Sequence, residues 1–459
     1  MGVHQSIGMK GIVLFGTDEQ KARFLPELAT GRKLAGFALT EPQAGSDVHG
    51  MQSRAERQAD GSWLLNGEKR YIGNGSKGEV FVTFAATDDR HTAFILEKGM
   101  TGFEVGERFD TMGLRANDLR RLYYKDVRVP PENVLGEPGD GFKIAMQILN
   151  NGRLSLGTGS VGGAKRMLDL TIDHVKERKQ FGRPLADFEL VQDKIGWMVS
   201  YLFGLEAMAY LTTGLVDMGV PDYSLESAIC KVSGTEFLWY AANRAMQLKG
   251  GAGYMRDEPY EKTLRDIRIF PIFEGANDVM RAYIALTGMK PLGEELKELG
   301  DINLGDPIGT LGVLADYVTG RVMREVRPDQ VTKSHDALSG LAEPVGEQVK
   351  RLRSVTEGLL REHKREVIER QFHQKRLADA VADIYAQVAV LSRVTSHLDE
   401  HGVEPSGQEL YIAETFCTRA ASRVEHHLDQ IESNDDDRMV AIAKLAYKRG
   451  EYGYAFFED

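Results

Sequence analysis

The chain has 459 residues, which is enough for a large core and two or three domains. A hydrophobic content of 42% with 27% charged residues describes a soluble globular protein, and a net charge of −11 argues against a nucleic-acid partner. The two cysteines, Cys230 and Cys417, supply neither a disulfide framework nor a metal-ligand pair. No apolar run approaches the length of a membrane span.

The first 34 residues have a helical pattern. Thr17, followed by Asp18 and Glu19, predicts a capped helix start, and Pro26 predicts the end of that helix. This region is short for a domain of its own.

Residues 36–135 have a β pattern. Asp60-Gly61 and Asn66-Gly67 are hairpin-type pairs that bracket a short strand, and residues 98–102 predict another turn. Further strands are predicted at residues 80–84 and 92–96. Pro130-Pro131 ends the last strand, because consecutive prolines cannot extend a ladder.

From about residue 140 the pattern is helical. One helix is predicted to start around Ile144, a second to cover residues 161–178, and a loop to cover residues 214–223. Long charged amphipathic helices follow residue 285. In one of them a core stripe recurs at helical spacing: Leu377, Val381, Ile384, Val388, Leu391 and Leu398.

The most informative carboxylate is Glu274, which follows an apolar segment at residues 269–273. The nearest cations in sequence are Arg265, Arg268 and Arg281. A carboxylate in apolar surroundings loses hydration, which raises its pKa toward the value that suits a general base. The segment alone favours the simpler explanation, a glutamate at the rim of a packed region.

A loop rich in small and hydroxylated residues follows the strand at Phe37 and Ala38. Its backbone amides and the hydroxyls of Thr40 and Ser46 suit a polar ring edge or a phosphate, although a tight turn explains the same residues.

Two further segments are candidates for contact with a ligand, and the second is not a dinucleotide fingerprint. Arg178, Gln180 and Phe181 follow a helix, where a guanidinium suits a diphosphate but also complements a helix dipole. Residues 247–251 carry a glycine cluster that either admits a close ligand or ends a helix.

The order and spacing of these motifs resemble the acyl-CoA dehydrogenase family, closest to its very-long-chain branch. The resemblance implies an α+β fold with partial N-terminal helices, a central antiparallel β-domain, a C-terminal four-helix bundle and an additional C-terminal helical domain. The implied boundaries are residues 1–35, 36–138, 139–290 and 291–459. The chain is expected to begin inside the first helical domain of the family.

The resemblance also implies FAD as cofactor and assigns roles to matching positions. Glu274 corresponds to the catalytic base, and contacts to acyl-CoA fall on Ser46, Asn150, Arg153 and Gly275. Contacts to FAD fall on Phe37, Leu39, Thr40, Gly45, Ser46, Tyr71, Ile72, Gly73, Arg178, Gln180, Phe181, Gln192, Gln247, Gly250, Gly251, Ala276, Asn277 and Asp278. The residues from Arg178 to Phe181 are implied to reach the FAD of a neighbouring subunit.

The implied reaction is α,β-dehydrogenation of an acyl-CoA thioester to a trans-2-enoyl-CoA in fatty-acid β-oxidation, with electrons passed to electron-transfer flavoprotein. Two branches of the family place the base on the helix that here contains Gly152, and no carboxylate stands there. That leaves Glu274 as the base and favours long straight acyl chains. Gly73 departs from the family pattern because it lacks the hydroxyl presented to the flavin.

Several alternatives stay open on the sequence. They are an acyl-CoA oxidase that uses oxygen and a non-catalytic assembly factor on the same fold. We also expect a homo-oligomer, a dimer by resemblance, and a cytoplasmic location in a bacterium or a mitochondrial one in a eukaryote. A stripe that suits a lipid interface, or packing on neighbouring helices, comprises Leu311, Leu314, Val318 and Val322 with Arg321 and Arg324.

Overall fold

The computed structural model describes residues 2–88, 90–300 and 331–454. The chain forms two compact units, Met1–Met280 and Arg281–Asp459. The stripe proposed for a lipid interface, at residues 311–324, lies outside the described residues.

The first unit begins with short helices that cover one face of a sheet. A π-helical turn at Val3–Gly8 precedes α1 (Lys10–Phe15) and α2 (Asp18–Ala29). Thr17 caps α2 through a reciprocal capping box with Gln20, as the sequence predicts. The predicted stop at Pro26 is wrong: the helix continues to Ala29, because a proline near the last turn removes only its own N–H.

Buried His4 ties these helices to the sheet. Its Nδ1 accepts a hydrogen bond of 2.9 Å from the Ala35 N–H, and its Nε2 lies 3.0 Å from the Leu28 carbonyl oxygen. One imidazole therefore bridges the end of α2 and the start of β1, which fixes the entry of the chain into the sheet.

The β region forms a mixed sheet whose strand order is β6-β7-β3-β2-β4-β5-β8, with β1 also paired to β4. Most pairs are antiparallel as predicted, but β1 runs parallel to β4, because a long crossover separates them. The strands are β1 (Ala35–Ala38), β2 (Arg54–Arg57), β3 (Trp63–Ile72), β4 (Val80–Thr87), β5 (Arg90–Glu97), β6 (Phe103–Arg108), β7 (Arg120–Val129) and β8 (Val134–Leu135).

Two details of the β prediction are corrected. Asn66-Gly67 is not a turn but lies inside β3 at a register shift against β7. Gly67 has φ +148°, and a Cβ there would stand 2.2 Å from the Ser53 hydroxyl oxygen, so the glycine serves a bulge and a close approach. The strand that ends before Pro130 is also followed by the short β8.

Long helices complete the unit. They are α3 (Gly141–Glu177), α4 (Glu189–Asp217), α5 (Ser224–Lys249) and α6 (Pro259–Ile267), and α7 (Asn277–Gly300) begins in this unit. The first three pack on one another, and α6 packs on α5. The two helices predicted between Ile144 and Arg178 are one helix, and the predicted loop at 214–223 begins later, because α4 continues to Asp217.

Glycines on both helices bring α3 and α5 close together. A Cβ on Gly157 would lie 2.6 Å from the Cys230 carbonyl oxygen, and one on Gly234 would lie 2.8 Å from the Gly157 carbonyl oxygen. Small residues at this crossing allow the backbones of α3 and α5 to approach closely. Their function here is helix packing rather than chain reversal.

The expectation that no apolar run reaches the length of a membrane span is too strict for α4. Among the described residues, this one helix is long and apolar enough to cross a membrane by length and composition, with a mean hydropathy of 1.3. It packs against α3 and α5, and 44% of its most apolar window is buried. Core helices of soluble proteins pass the same test, so the feature carries little weight.

The second unit is helical where the structure describes it beyond α7. It contains α8 (Ser339–His363), α9 (Gln371–His401), α10 (Gly407–Glu432) and α11 (Asp436–Arg449). The predicted stripe of α9 supplies core residues, with Leu377, Ile384, Leu391 and Leu398 buried. Cys417 on α10 is a buried free thiol, as is Cys230 in the first unit, and burial raises the pKa of each to about 12.

Candidate active site

The segment that carries Glu274 is a tight turn between α6 and α7. The Asn277 N–H donates to the Pro271 carbonyl oxygen at 2.9 Å, which closes the turn. Within it Glu274 has φ +57° and Gly275 has φ +92°. A positive φ is uncommon for a non-glycine residue and is retained where the surroundings enforce it, often at functional sites.

The Glu274 carboxyl group points against α3. Its Oε2 is buried and has no hydrogen-bond partner among the described residues. A Cβ on Gly152 would stand 2.7 Å from that oxygen and 2.8 Å from Cγ2 of Ile7. The space for the carboxylate therefore exists because residue 152 has no side chain.

Burial controls the acidity of this group. Burial raises the pKa of Glu274 to about 7, although the positive charges of Arg153 and Lys231 act to lower it. A carboxyl group with this pKa is substantially ionised at neutral pH and still takes up a proton readily. These properties suit a general base.

The source of that burial differs from the sequence argument. Ile272 and Phe273 of the apolar segment are 50% and 36% exposed, so the segment does not enclose the carboxylate. Gly152 and Ile7 enclose it instead, from elements distant in sequence. The cations that act on it are likewise not the sequence neighbours Arg265, Arg268 and Arg281, but Arg153 and Lys231.

Arg153 joins α3 to the turn. Its Nε donates to the Glu274 carbonyl oxygen at 3.2 Å, and its Nη1 donates to the Asn150 Oδ1 at 3.0 Å. The structure thus brings together Asn150, Arg153 and Glu274, three residues that the sequence assigned to one site.

Lys231 on α5 is a member of this site that the sequence analysis missed. It is fully buried, and its Nζ donates to the Gly275 carbonyl oxygen at 2.7 Å and to the Asn277 Oδ1 at 2.6 Å. A signal was present, since the residues that share the helix face of Lys231 are all small: Ser227, Ala228, Gly234 and Thr235.

The loop after β1 is held to β3 by buried polar contacts. The Glu41 N–H donates to the Ala44 carbonyl oxygen at 3.0 Å, and the Arg70 N–H donates to the Thr40 carbonyl oxygen at 2.8 Å. The Lys69 Nζ lies 2.6 Å from the Glu41 carboxylate and donates at 3.1 Å to the Leu39 carbonyl oxygen. These contacts fix the backbone of the loop beside the end of β3.

The Lys69–Glu41 ion pair was also missed from the sequence. Burial lowers the pKa of Lys69 to about 8, opposed by Glu41. Burial acts to raise the pKa of Glu41, but Lys69 and the Gln52 and Ser53 amides outweigh it and hold that pKa below its usual range. The pair is an anchor for the loop.

The predicted flavin residues line this loop and the end of β3. Phe37 and Leu39 are buried, whereas Gly45 and Ser46 are exposed at the loop tip. Tyr71 is half exposed with φ +61°, and its ring lies 4.8 Å from that of Phe109.

Two features of β3 bear on a bound ring system. The Arg70 guanidinium lies 4.7 Å from the Tyr71 ring centroid, and its Nε is buried with no partner in the described part of the chain. Ile72 is buried, and a Cβ on Gly73 would lie 3.1 Å from Cγ2 of Val3. Val3 therefore occupies the space that a hydroxyl-bearing side chain at position 73 needs.

The remaining predicted contacts lie at the far end of the long helices. Arg178 follows the end of α3 and precedes a hairpin of β9 (Lys179–Gln180) and β10 (Arg183–Pro184). Phe181 at the hairpin tip is 94% exposed with φ +51°. The Gln192 Nε2 donates to the Ala186 carbonyl oxygen at 3.0 Å beside it.

The glycine-rich segment lies at the same end. Gln247, Gly250 and Gly251 are exposed where α5 ends, and His174 of α3 is hydrogen-bonded to the Leu248 backbone. Arg178 and this segment therefore form a second group, roughly 40 Å along α3 from Gly152 at the helical rise of about 1.5 Å per residue. Ala276 and exposed Asp278 belong to the first group, beside Glu274.

Comparison with known proteins identifies the family. The models named "Acyl-CoA dehydrogenase, N-terminal domain", "middle domain" and "C-terminal domain" match residues 1–32, 36–127 and 139–288. A fourth model, "ACAD9/ACADV, C-terminal domain", matches residues 336–452. The chain belongs to the acyl-CoA dehydrogenase family.

Individual relatives extend along most of the chain. The very long-chain specific acyl-CoA dehydrogenase of Homo sapiens is 38% identical over 98% of this chain and 72% of its own length. The enzyme of the same name from Rattus norvegicus is 37% identical over 95% of this chain and 68% of its own. A crystal structure of an acyl-CoA dehydrogenase complexed with FAD from Bacillus anthracis matches with a TM-score of 0.83 and 32% identity, covering 97% of this chain and 77% of that one.

These matches confirm the predicted family, its fold and its enzyme class. The protein is an acyl-CoA dehydrogenase, an oxidoreductase of a family that is FAD-dependent. The roles of individual site residues and the boundaries of the predicted domains stay predictions.

Proposed function

We propose that Glu274 is the base that removes the α-proton of an acyl-CoA thioester in this acyl-CoA dehydrogenase. The observation that carries the proposal is the buried, unpartnered Oε2 of Glu274, held in a turn with positive φ and with the pKa raised to about 7. A buried carboxylate without a donor is costly unless a ligand faces it. A carbon acid is such a ligand, because its C–H offers a proton without supplying a conventional hydrogen bond beforehand.

The surrounding residues orient the base and control its protonation. Arg153 holds the Glu274 backbone through its carbonyl oxygen, so the carboxylate stays against Gly152. The Glu274 N–H is assigned to the thioester carbonyl, where it stabilises the negative charge that develops as the α-proton leaves. Exclusion of water from Oε2 keeps the carboxylate basic.

The residues of the chain fit FAD. The anchored loop at residues 39–46, the half-exposed Tyr71 ring and the unpartnered Nε of Arg70 together offer a stacking surface and polar groups beside β3. When bound there, the flavin supplies the acceptor for the hydride that leaves the β-carbon. Arg178, Gln180, Phe181, Gln192 and the Gln247–Gly251 segment are assigned to the diphosphate and adenine portions.

Replacement of the base tests the proposal directly. Glu274→Gln removes the proton acceptor while preserving shape, so turnover of palmitoyl-CoA should fall about 10³-fold while flavin content stays normal. The matched control is Glu104→Gln on exposed β6, which should keep full turnover. Near-normal turnover in Glu274→Gln, measured with an artificial electron acceptor, would show that another group is the base.

Chain length and electron acceptor are finer parts of the proposal. The very-long-chain relatives share most of the chain, which supports long straight acyl chains and transfer to electron-transfer flavoprotein. Turnover with acyl-CoAs of graded length should be highest for the long chains. Anaerobic reduction by palmitoyl-CoA followed by air should leave the flavin reduced for minutes, whereas rapid reoxidation would identify an oxidase.

A homodimer is part of the same proposal. The diphosphate group of residues lies roughly 40 Å along α3 from Gly152, a span too long for one cofactor to bridge within one chain. Phe181 and its neighbours stand exposed in the single chain, as expected for groups that complete the site of a second copy. Sedimentation of the flavin-loaded protein should give the mass of a dimer, and a monomer with full activity would contradict this arrangement.

The mitochondrial relatives suggest a mitochondrial location if the host is a eukaryote, and a bacterial host implies the cytoplasm.

A further inference from the structure

Lys231 has no part in the reaction as proposed, yet it is among the most buried charged residues of the first unit. Its exposed fraction is 0%, and its α5 neighbours Cys230 and Val232 are also buried. An ammonium group in such a place costs several kcal/mol of desolvation, which hydrogen bonds and nearby charge must offset. A well-packed apolar side chain avoids that cost, so simple core filling does not account for a lysine.

Two hydrogen bonds of Lys231 reach the turn that carries Glu274. One proton of its Nζ goes to the Gly275 carbonyl oxygen at 2.7 Å and another to the Asn277 Oδ1 at 2.6 Å. The Asn277 Nδ2 in turn donates to the Thr235 hydroxyl at 3.2 Å and to the Glu236 carboxylate at 3.0 Å. Gly275 and Asn277, which follow the base, are thereby fixed to α5.

Arg153 binds the same turn from α3. It donates from α3 to the Glu274 carbonyl oxygen, whereas Lys231 donates from α5 to the carbonyl oxygen of the next residue. Two consecutive carbonyl groups are therefore held by two cations, and the residues that bear them have φ +57° and +92°. Such backbone angles persist only where the surroundings hold them in place.

The charged groups that face the base come from both helices. Arg153 on α3 and Lys231 on α5 are the cations that act on the Glu274 carboxylate, and Glu236 on α5 is linked to the turn through Asn277. The positive charges of Arg153 and Lys231 both favour the ionised form of the carboxylate.

We propose that Lys231 is a positioning residue for the catalytic base, one that locks the Glu274–Gly275 turn against α5 and supplies the positive charge that keeps the buried carboxylate ionised. The inference rests on the proposed role of Glu274. It assigns to one side chain both the orientation of the base and the pH range in which the base works.

The test is the pH profile of Lys231→Met, a change that keeps the length of the side chain and removes its charge and donors. Without this charge the carboxylate is harder to ionise, so the acid limb of kcat/KM should move to higher pH by about one unit or more. At pH 7, which equals the pKa of the unmodified carboxyl group, a shift of one unit lowers kcat/KM about fivefold. Lys165→Met on exposed α3 is the matched control and should leave the limb unchanged.

A second variant covers the case in which Lys231→Met does not fold. Lys231→Gln keeps a donor but not the charge, so its limb should also move upward, while its kcat at high pH should stay closer to that of the original protein. If the acid limb of kcat/KM stays in place in the variants that fold, and only their thermal stability is lowered, Lys231 has a structural role alone. That result would overturn the inference. Glu274→Gln in the same assay separates the two ideas, because its full activity would remove the proposed base itself.

Discussion

The two ends of α3 differ in how complete their sites are. At the Gly152 end, Glu274 is enclosed by residues of its own chain, and Arg153 and Lys231 hold its turn through hydrogen bonds. At the Arg178 end, the predicted cofactor residues are exposed, and Phe181 projects from a short hairpin. The site at the Gly152 end is complete within one chain, whereas the Arg178 end presents exposed hydrogen-bond donors and an exposed aromatic ring.

The difference shows which functions a single chain can set up alone. Proton chemistry needs a desolvated carboxylate of defined orientation, and the first end provides it within one folded unit. Cofactor retention can be shared, because an exposed hairpin is able to reach a second copy. Four experiments test this distinction between the two ends.

The largest effect is expected from filling the space at Gly152. In Gly152→Ala the new Cβ stands 2.7 Å from the Glu274 Oε2, so the carboxylate must move, and kcat should fall about 100-fold. Gly162→Ala on the same helix is the control, because a Cβ there meets nothing within 4 Å. Unchanged kcat in Gly152→Ala would show that the base tolerates displacement and that this end is less tightly organised.

The pH dependence of the unmodified protein should show a second, smaller effect at the same end. Glu274 must be ionised to accept a proton, and its pKa is raised to about 7, so kcat/KM should rise with pH up to about 7 and then level. Well below that value each unit of pH should cost about a factor of ten. An acid limb near 4.5, the usual value for a glutamate, would mean that the carboxylate is solvated in the working enzyme.

At the other end, Arg178→Ala should weaken FAD binding about tenfold, the loss of one charge-assisted hydrogen bond, with kcat little changed at saturating FAD. Lys176→Ala removes a cation from the last turn of α3 and should have no such effect, which separates a diphosphate contact from a helix-dipole effect. Titration of the flavin-free protein with FAD measures both.

Mixed dimers decide whether Arg178 acts across the subunit boundary. Co-expression of a Glu274→Gln chain with an Arg178→Ala chain should restore one working site per dimer at limiting FAD, because each chain supplies what the other lacks. No recovery would place Arg178 in the site of its own chain and would remove the contrast between the two ends.

The sequence predicted the class of chemistry better than it predicted the surroundings of the Glu274 carboxylate. The family motifs led to Glu274, to the loop after β1 and to the helical frame, because each is a local pattern. Enclosure of the carboxylate depends on Gly152 and Ile7, which meet it only in three dimensions. The apolar run beside Glu274 suggested burial for the wrong reason, since Ile272 is half exposed.

The buried lysines were missed for a related reason. The partners of Lys69 and Lys231 were not predictable, because nothing local in the sequence shows that one meets Glu41 and the other the turn after Glu274. The prediction of two helices within α3 missed a similar long-range contact, since Gly157 permits close packing of one continuous helix on α5. Long-range contact decided each case.

The contact between Val3 and position 73 has a consequence for how the sequence can change over time. A Cβ at 73 would lie 3.1 Å from Val3, so a serine or threonine there is tolerated only with a smaller residue at 3 or a shift of the first turn. The residue at position 3 therefore influences how easily position 73 accepts a hydroxyl-bearing side chain. An engineered variant with a serine or threonine at position 73 should therefore also carry a smaller residue at position 3.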